Sequence, residues 1–353
     1  MTSPSSLPGR LDRHRLAALL LIALAAALLA AACGSSDDPD GGSITVYSGR
    51  GEALVRPLFE RFEKDTGINL RVRYADTAAL AAALLEEGDR SPADVFFAQD
   101  AGALGALEAA GVFAELPEDL LQRVDAHVRS TTGAWVGVSG RARVLVYSTE
   151  RVSPEELPAS IFDLTQPAWR SRVAWAPTNG SFQSFVTAMR VLHGDIVTEQ
   201  WLHGMLANNV HEFSNNSSQV RAVADGEIDV GLVNHYYLWR FRAEDPDIPA
   251  ENLYTDAGDA GGLLNLAGVG VLAASDRREA ALRFVAYMLS PTAQTYFAAA
   301  QADSGFEYPL IASVTPNVAL PPLESLRTID LDLNDLSDLE GTLDLLRKVG
   351  ALP

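Results

Sequence analysis

Cysteine occurs once in the 353 residues, at Cys33, so no disulfide can form within the chain. Lysine is almost as scarce, present only as Lys64 and Lys348. Basic side chains number 27 against 46 Asp and Glu, a formal net charge of −19. A chain with so little positive charge has no footprint for a phosphate backbone, which excludes nucleic acid as a partner. His127, His193, His203, His211 and His235 are scattered, with no pair at the spacing of a zinc site. There is no Walker loop and no dinucleotide glycine fingerprint, and Gly137-Val138-Ser139-Gly140 lacks the spacing of a nucleophile elbow. Trp135, Trp201 and Trp239 fall at mixed spacing and read as packing, not as a sugar platform. No repeat of solenoid length is present. The chain reads as a binding protein and not as an enzyme.

What is there begins with an export signal. Arg10, Arg13 and Arg15 precede an uncharged, mostly Leu and Ala run from Leu16 to Ala32. The run ends in small residues, as a cleavable secretory leader does, and its length lies near the lower limit for a membrane span. The lone Cys33 follows Ala30-Ala31-Ala32, the arrangement of a bacterial lipoprotein cleavage box, with Leu29 one place earlier than usual. Cys33 is therefore the expected lipidation site, against the alternatives of a plain export signal or an uncleaved anchor. Residues 33–42 are rich in Ser, Asp and Gly and read as a flexible tether. Removal of the leader takes away three arginines and one aspartate, leaving a still more acidic extracytoplasmic domain.

About 320 mature residues exceed one hydrophobic core and imply two lobes. Strands are expected at Ser43–Ser48, Asn69–Tyr74, Asp94–Ala98, Val136–Ser139 and Arg143–Ser148. Intervening helices are expected at Leu54–Phe62 up to Gly67, at Ala78–Glu87 and at Ala101–Ala110. A second block repeats the alternation: strands at Val173–Ala176, Asp229–Val233 and Leu266–Ala273, helices at Phe182–Leu192, Glu199–Asn209 and Val220–Asp225. Asp276 with Glu279 resembles a capping box opening another helix, Pro291 breaks it, and Thr292–Gln301 follows. Leu331–Val349 mixes leucines with acids and predicts one or two amphipathic helices. This βαβ alternation predicts an α/β fold with a largely parallel sheet.

Directly behind the Asp229–Val233 strand stand Asn234-His235-Tyr236-Tyr237. Adjacent tyrosines are ordinary packing residues in many proteins. Once deprotonated, however, they are hard anionic oxygen donors suited to a highly charged cation, and a coordinated cation can displace the phenolic proton. Ferric iron is the metal for which that exchange is most favourable. His235 stands beside them as a possible support for the ligands.

The segments Ile44-Thr45-Val46-Tyr47-Ser48-Gly49-Arg50, Gly88–Phe96, Ser139–Tyr147, Pro177–Phe182, Asn215-Asn216-Ser217, Gly226–Asp229 with Asn234–Tyr237, and Glu307-Tyr308-Pro309-Leu310 resemble the bacterial ferric-ion-binding proteins of iron ABC importers. They occur in family order over nearly all of the mature chain. The resemblance implies a two-lobed periplasmic-binding-protein-like fold with a hinge between lobes, closing around its ligand. It implies an N-lobe of 43–141 plus about 267–317 and a C-lobe of 142–266 plus about 318–353. It also implies a monomeric Fe(III) receptor, tethered to the membrane, that delivers iron to an ABC permease. The family's paired iron ligands fall on Tyr236 and Tyr237. Its synergistic anion, carbonate or phosphate, matches Asn179, Gly180, Ser181, Asn216 and Asn234. The chemistry agrees, because Thr178–Ser181 precedes a helix whose first N–H groups and dipole suit an anion. Arg141 and Arg143 share one strand face and are candidates for the same anion, with salt bridging as the alternative.

The chain also departs from the pattern. Where many members place a histidine after the first strand it has Gly51 and then Glu52. Where some place a glutamate it has Gln99 and Asp100, and where others place a third tyrosine it has Phe182. Glu52, Gln99 and Asp100 are thus N-lobe candidates by chemistry alone, with solvated or capping roles as the other reading. Two further functions remain open: the same architecture holding a polyamine, thiamine or sugar acid, and a lipoprotein hydrolase.

Overall fold

The structure is a computed structural model describing residues 42–353 apart from 257, 300–304, 327–328 and 330. The expected leader, Cys33 and the tether up to residue 41 lie outside the described residues. No helix among the described residues is long and apolar enough to cross a membrane.

The first block runs β1 (Ser43–Ser48), α1 (Glu52–Thr66), β2 (Asn69–Tyr74), α2 (Thr77–Glu87), β3 (Val95–Ala98), α3 (Ala101–Ala109) and α4 (Glu118–Leu121). Next comes the long strand β4 (Trp135–Ser148). The second block contains β5 (Val173–Trp175), α5 (Gly180–Ala207), β6 (His211–Glu212), α6 (Asn216–Ala224), β7 (Val230–Asn234), α7 (Tyr236–Glu244) and β8 (Ala250–Leu253). The chain then returns as β9 (Leu264–Val271), α8 (Arg278–Met288), α9 (Pro291–Ala298) and β10 (Tyr308–Pro309), and closes with α10 (Leu339–Val349). The strand order is β2-β1-β3-β9-β4-β7-β5-β6, with β8 and β10 both pairing with β4.

The fold is α/β and two-lobed, as expected. Within each block the strands are parallel, β1 to β2 and β3 on one side and β5 to β6 and β7 on the other. Antiparallel pairing through β4 and β9 joins the blocks, so the sheet is mixed and the expectation of a largely parallel one is corrected. The expectation of separate strands at Val136–Ser139 and Arg143–Ser148 is corrected here, because β4 is continuous. Its first half pairs with β9 as far as Ala142, and from Arg143 onward it pairs with β7. Gly140 kept the strand signal from reading through, yet its missing Cβ is what admits Leu310 and Tyr308 at that point.

Phe59, Phe62, Phe97 and Phe284 fill the first block, with the Phe62 and Phe284 centroids 5.2 Å apart in an edge-to-face arrangement. Such a pair adds about 0.5–1.5 kcal/mol beyond its burial. In the second block Val144, Val146, Val220, Val223, Val233 and Leu238 pack beneath β7. Gly67 ends α1 in the left-handed region, as its position predicts. The two helices expected at Phe182–Leu192 and Glu199–Asn209 form α5, broken at Gly194 by a φ of 80°. The Asp276–Glu279 capping box does not form: α8 begins at Arg278, flanked by Arg277, with no side-chain cap. The following helix ends at Ala298, and the expected end at Gln301 lies outside the described residues.

The C-terminal segment touches both blocks. The turn Leu333–Ser337 lies on α3, so closely that a Cβ at Gly102 would stand 2.5 Å from the Leu336 carbonyl oxygen and one at Gly105 2.9 Å from that of Asn334. Trp135 donates its indole N–H to Asn334 Oδ1 at 3.0 Å. Helix α10 then packs on α5 through a Thr187–Thr342 hydroxyl contact of 2.8 Å and an Arg190–Asp338 ion pair of 2.9 Å. Leu345, Leu346 and Val349 are buried, the amphipathic pattern expected of this segment.

Candidate functional site

Strand β7 ends at Asn234 and α7 opens at Tyr236, with His235 at the corner. The corner is fixed from β4. His235 N–H donates to the Ala142 carbonyl at 3.0 Å, and its ring Nδ1 accepts from the Ala142 N–H at 3.1 Å. The proton therefore sits on Nε2, which donates to the Phe306 carbonyl at 2.6 Å. Burial pulls the imidazole down to about 4, only partly offset by those carbonyls, so the ring is neutral. His235 is a buried brace beneath the tyrosines, and its ring nitrogens are occupied by backbone.

Beyond the corner the two tyrosine rings lie together, centroids 4.4 Å apart and tilted by 33°. Tyr236 is 5% exposed and Tyr237 is half-buried. Leu238, buried in the core, fixes the rotation of the helix that carries them. One turn on, the guanidinium carbon of Arg240 stands 4.4 Å from the Tyr236 centroid and 5.5 Å from that of Tyr237. Burial works to raise the Tyr236 phenol, but Arg141 and Arg240 outweigh it and hold it below the usual tyrosine value. Tyr237 is pushed well above that value, chiefly by the charge on Tyr236 and then by burial. The two shifts run in opposite directions, so the two phenols do not lose their protons together.

The polar residues singled out in the sequence converge here. Asn179 caps α5, its Oδ1 accepting from Ser181 N at 3.1 Å, Ser181 Oγ at 2.6 Å and Asn216 Nδ2 at 3.3 Å. Asn216, at the start of α6, also reaches Ser181 Oγ at 3.4 Å and hydrogen-bonds the Tyr237 phenol. From β4, Arg143 donates to Ser181 Oγ at 3.2 Å and to Asn234 Oδ1 at 3.4 Å, while Asn234 Nδ2 lies 3.5 Å from the Tyr236 oxygen. Gly180 has nothing within 4 Å of where a Cβ would project, so the helix start is open. Burial lowers the Arg143 guanidinium to about 10, which leaves it charged at neutral pH.

Among the buried nitrogens of the described residues that lack a hydrogen-bond partner are Arg141 Nε, Arg143 Nη2 and Asn265 Nδ2. Their residues are only 2%, 3% and 3% exposed. Donors so deeply buried are normally satisfied. A cavity of about 720 Å³ runs between the blocks, lined by Asp100, Arg141, Asn179, Ser181, Asn265 and Glu340 among others. A guest with anionic oxygens there would meet the Arg141 guanidinium, the Asn265 amide and the start of α5, whereas Arg143, Tyr236 and Tyr237 stand behind this lining.

The N-lobe candidates separate. Glu52 is exposed and stands 3.8 Å from Arg56. Gln99 lines the cavity, with its backbone N–H held by Thr77 Oγ1 at 3.1 Å. Asp100 caps α3 through the Ala103 N–H at 3.1 Å, and burial raises its carboxyl. Phe182 is a core ring against Trp175 and offers no oxygen. No cluster of three or more His, Cys, Asp or Glu able to hold a metal exists among the described residues.

Sequence reading missed Arg240, although its place four residues after Tyr236 on a helix was a usable signal. It also missed Asn265, which arrives from a distant strand with no local sign. The same holds for the buried ion pair of Arg50 with Glu307, whose carboxylate also accepts from Ser139.

The chain is 33% identical over 314 residues to the major ferric iron-binding protein of Neisseria meningitidis, covering 87% of this chain and 92% of that one. Residues 44–306 match the family of bacterial extracellular solute-binding proteins. The chain belongs to the bacterial ferric-ion-binding protein family. Iron-bound HitA from Pseudomonas aeruginosa shares the fold at a TM-score of 0.81 and 32% identity, over 87% of this chain and 99% of that one. Trichodesmium FutA, solved with iron and citrate ligands, shares it at 0.75 and 30%, over 88% and 99%. The family is a solute-binding class, not an enzymatic one, and its named relatives include periplasmic proteins.

Proposed function

We propose that this protein is an extracytoplasmic receptor that captures Fe(III) with the phenolates of Tyr236 and Tyr237 and passes it to an ABC importer. The observation that carries the reading is the tyrosine pair, ring centroids 4.4 Å apart, linked through Asn234 and Asn216 to Asn179 and Ser181 at the start of α5. Two phenolates neutralise two of the metal's three charges and fill two of its six positions. An anion and water supply the rest, the anion seated on Asn179, Gly180 and Ser181 at the start of α5, with Asn216, Asn234, Arg141 and Arg143 around it. Carbonate and phosphate both suit this cradle in size and charge. Gly51, Gln99 and Phe182 stand where the resemblance puts a histidine in many members, a glutamate in some and a third tyrosine in others, so the anion and water carry more of the coordination shell here.

The lobes divide at 43–141 plus about 267–317 and at 142–266 plus about 318–353, and the switch of β4 from β9 to β7 at Ala142–Arg143 supports a hinge there. Lipidated Cys33 holds the receptor at the membrane near its permease, and the acidic domain works as a monomer. The deciding experiment is metal and anion analysis of protein purified without chelator, read with the visible spectrum. A tyrosinate-to-iron charge-transfer band is expected. A colourless protein that takes up no Fe(III) in carbonate or phosphate would refute the reading.

A further inference from the structure

No ion pair accounts for the place of Arg240 among the described residues. Its neighbour Arg242 stacks on Trp239 and pairs with Glu251 at 2.8 Å, the usual arrangement for a half-buried guanidinium. Arg240 has no carboxylate partner among the described residues, and its Nε is buried without a hydrogen bond. What it has instead is the face of Tyr236 at 4.4 Å and that of Tyr237 at 5.5 Å. The contact is built into the helix, because residues three and four apart lie on one side. A neutral phenol ring is a weaker partner for this half-buried guanidinium than a phenolate is. The unpaired charge makes sense once both rings carry negative charge.

We propose that Arg240 is the counter-charge of the tyrosinate pair, tuning how strongly Tyr236 and Tyr237 donate to bound iron. This rests on the reading of those two residues as iron ligands. The guanidinium stands over the rings, and a metal held at the phenolic oxygens lies beyond the ring edge, farther from the cation than the ring electrons are. The donor orbitals are therefore lowered more than the acceptor orbitals on iron, which moves the charge-transfer band to higher energy. The same positive charge favours the lower oxidation state and sets the reduction potential of the bound metal higher than two phenolates alone would. Arg240 binds no metal itself; it is a positioning residue in the electrostatic sense.

The test loads wild type, Arg240→Lys and Arg240→Met with Fe(III) and phosphate, then records the visible spectrum and the midpoint potential. Ga(III), which takes phenolate ligands but is not reduced, reports whether each variant still holds a trivalent ion. Methionine keeps the length of the stem and its packing while removing the charge. Arg240→Met is expected to load Ga(III), to shift the iron band to longer wavelength and to lower the potential, with Arg240→Lys close to wild type. Loss of loading in Arg240→Met alone, with Arg240→Lys normal, also supports the counter-charge. An unshifted band and potential in an iron-loaded Arg240→Met, or equal loss of loading in both variants, would overturn the proposal. A wild type that lacks any tyrosinate band condemns instead the assignment of the ligands.

Discussion

Arg141 stands directly opposite Asn265 in the ladder between β4 and β9, and each buries a side-chain nitrogen that nothing in the described protein satisfies. The pair sits where the long strand leaves one block for the other, so its two free donors border the cavity at the hinge.

If those donors receive the anion, Arg141→Gln weakens Fe(III) binding in phosphate by about 10- to 100-fold, since a hydrogen bond to a charged group contributes about 1.5–3 kcal/mol. Asn265→Ala costs about tenfold or less. Titration at graded phosphate concentration checks this, and affinity independent of both substitutions would remove Arg141 and Asn265 from the site.

Tyr236→Phe and Tyr237→Phe each delete an anionic ligand while keeping the ring. Either is expected to reduce Fe(III) affinity by orders of magnitude, and the double variant to lose the visible band. Retention of an unchanged band in the double variant defeats the central assignment.

Glu307 sets an acid limit on stability. Burial alone would raise its carboxyl, but Arg50 and Arg141, with hydrogen bonds from Arg50 and Ser139, hold it below its ordinary value of 4.5. A carboxyl depressed in the folded state contributes stability in full above its unfolded value and loses it as pH falls through the folded one. Thermal melts between pH 5 and pH 2 are expected to show a steep decline. Glu307→Gln flattens that decline and is less stable at pH 7 by about 3–5 kcal/mol, because Arg50 is left buried and unpaired.

Gly102→Ala in α3 tests the C-terminal turn. In an exposed helix interior the change stabilises by about 1 kcal/mol. Here the new methyl would meet the Leu336 carbonyl at 2.5 Å. A lowered melting temperature is expected, and an unchanged or raised one would show that the turn lifts from α3 at no cost.

Cys33→Ser is expected to abolish lipid labelling and membrane retention without changing iron affinity in the released domain. Normal labelling with radioactive fatty acid in that variant would eliminate the anchor.

Much of the architecture was legible because its signals are local. Apolar spacing placed α1 and α2, Gly67 and Pro291 marked helix ends, and the Asn234–Tyr237 run stood at the end of an evident strand. Asn179, Ser181 and Asn216 were legible as neighbours of helix starts, and the structure brings them within hydrogen-bond reach of one another. What was not legible depends on distant pairing. The continuity of β4 rests on β9 and β7 on its flanks, and Gly140 concealed it. Asn265 and Glu307 reach the hinge region from the other end of the chain, and no pattern within a short window announces such an arrival.

The contact of Trp135 with Asn334 joins residues 199 apart in the chain. Closing so long a loop is slow, because the entropy of bringing the ends together must be met before the contact returns anything. On a ribosome, the glycine-lined side of α3 stays open to water until residues 333–337 have been made, so a segment translated early waits for one translated more than two hundred residues later before it is covered.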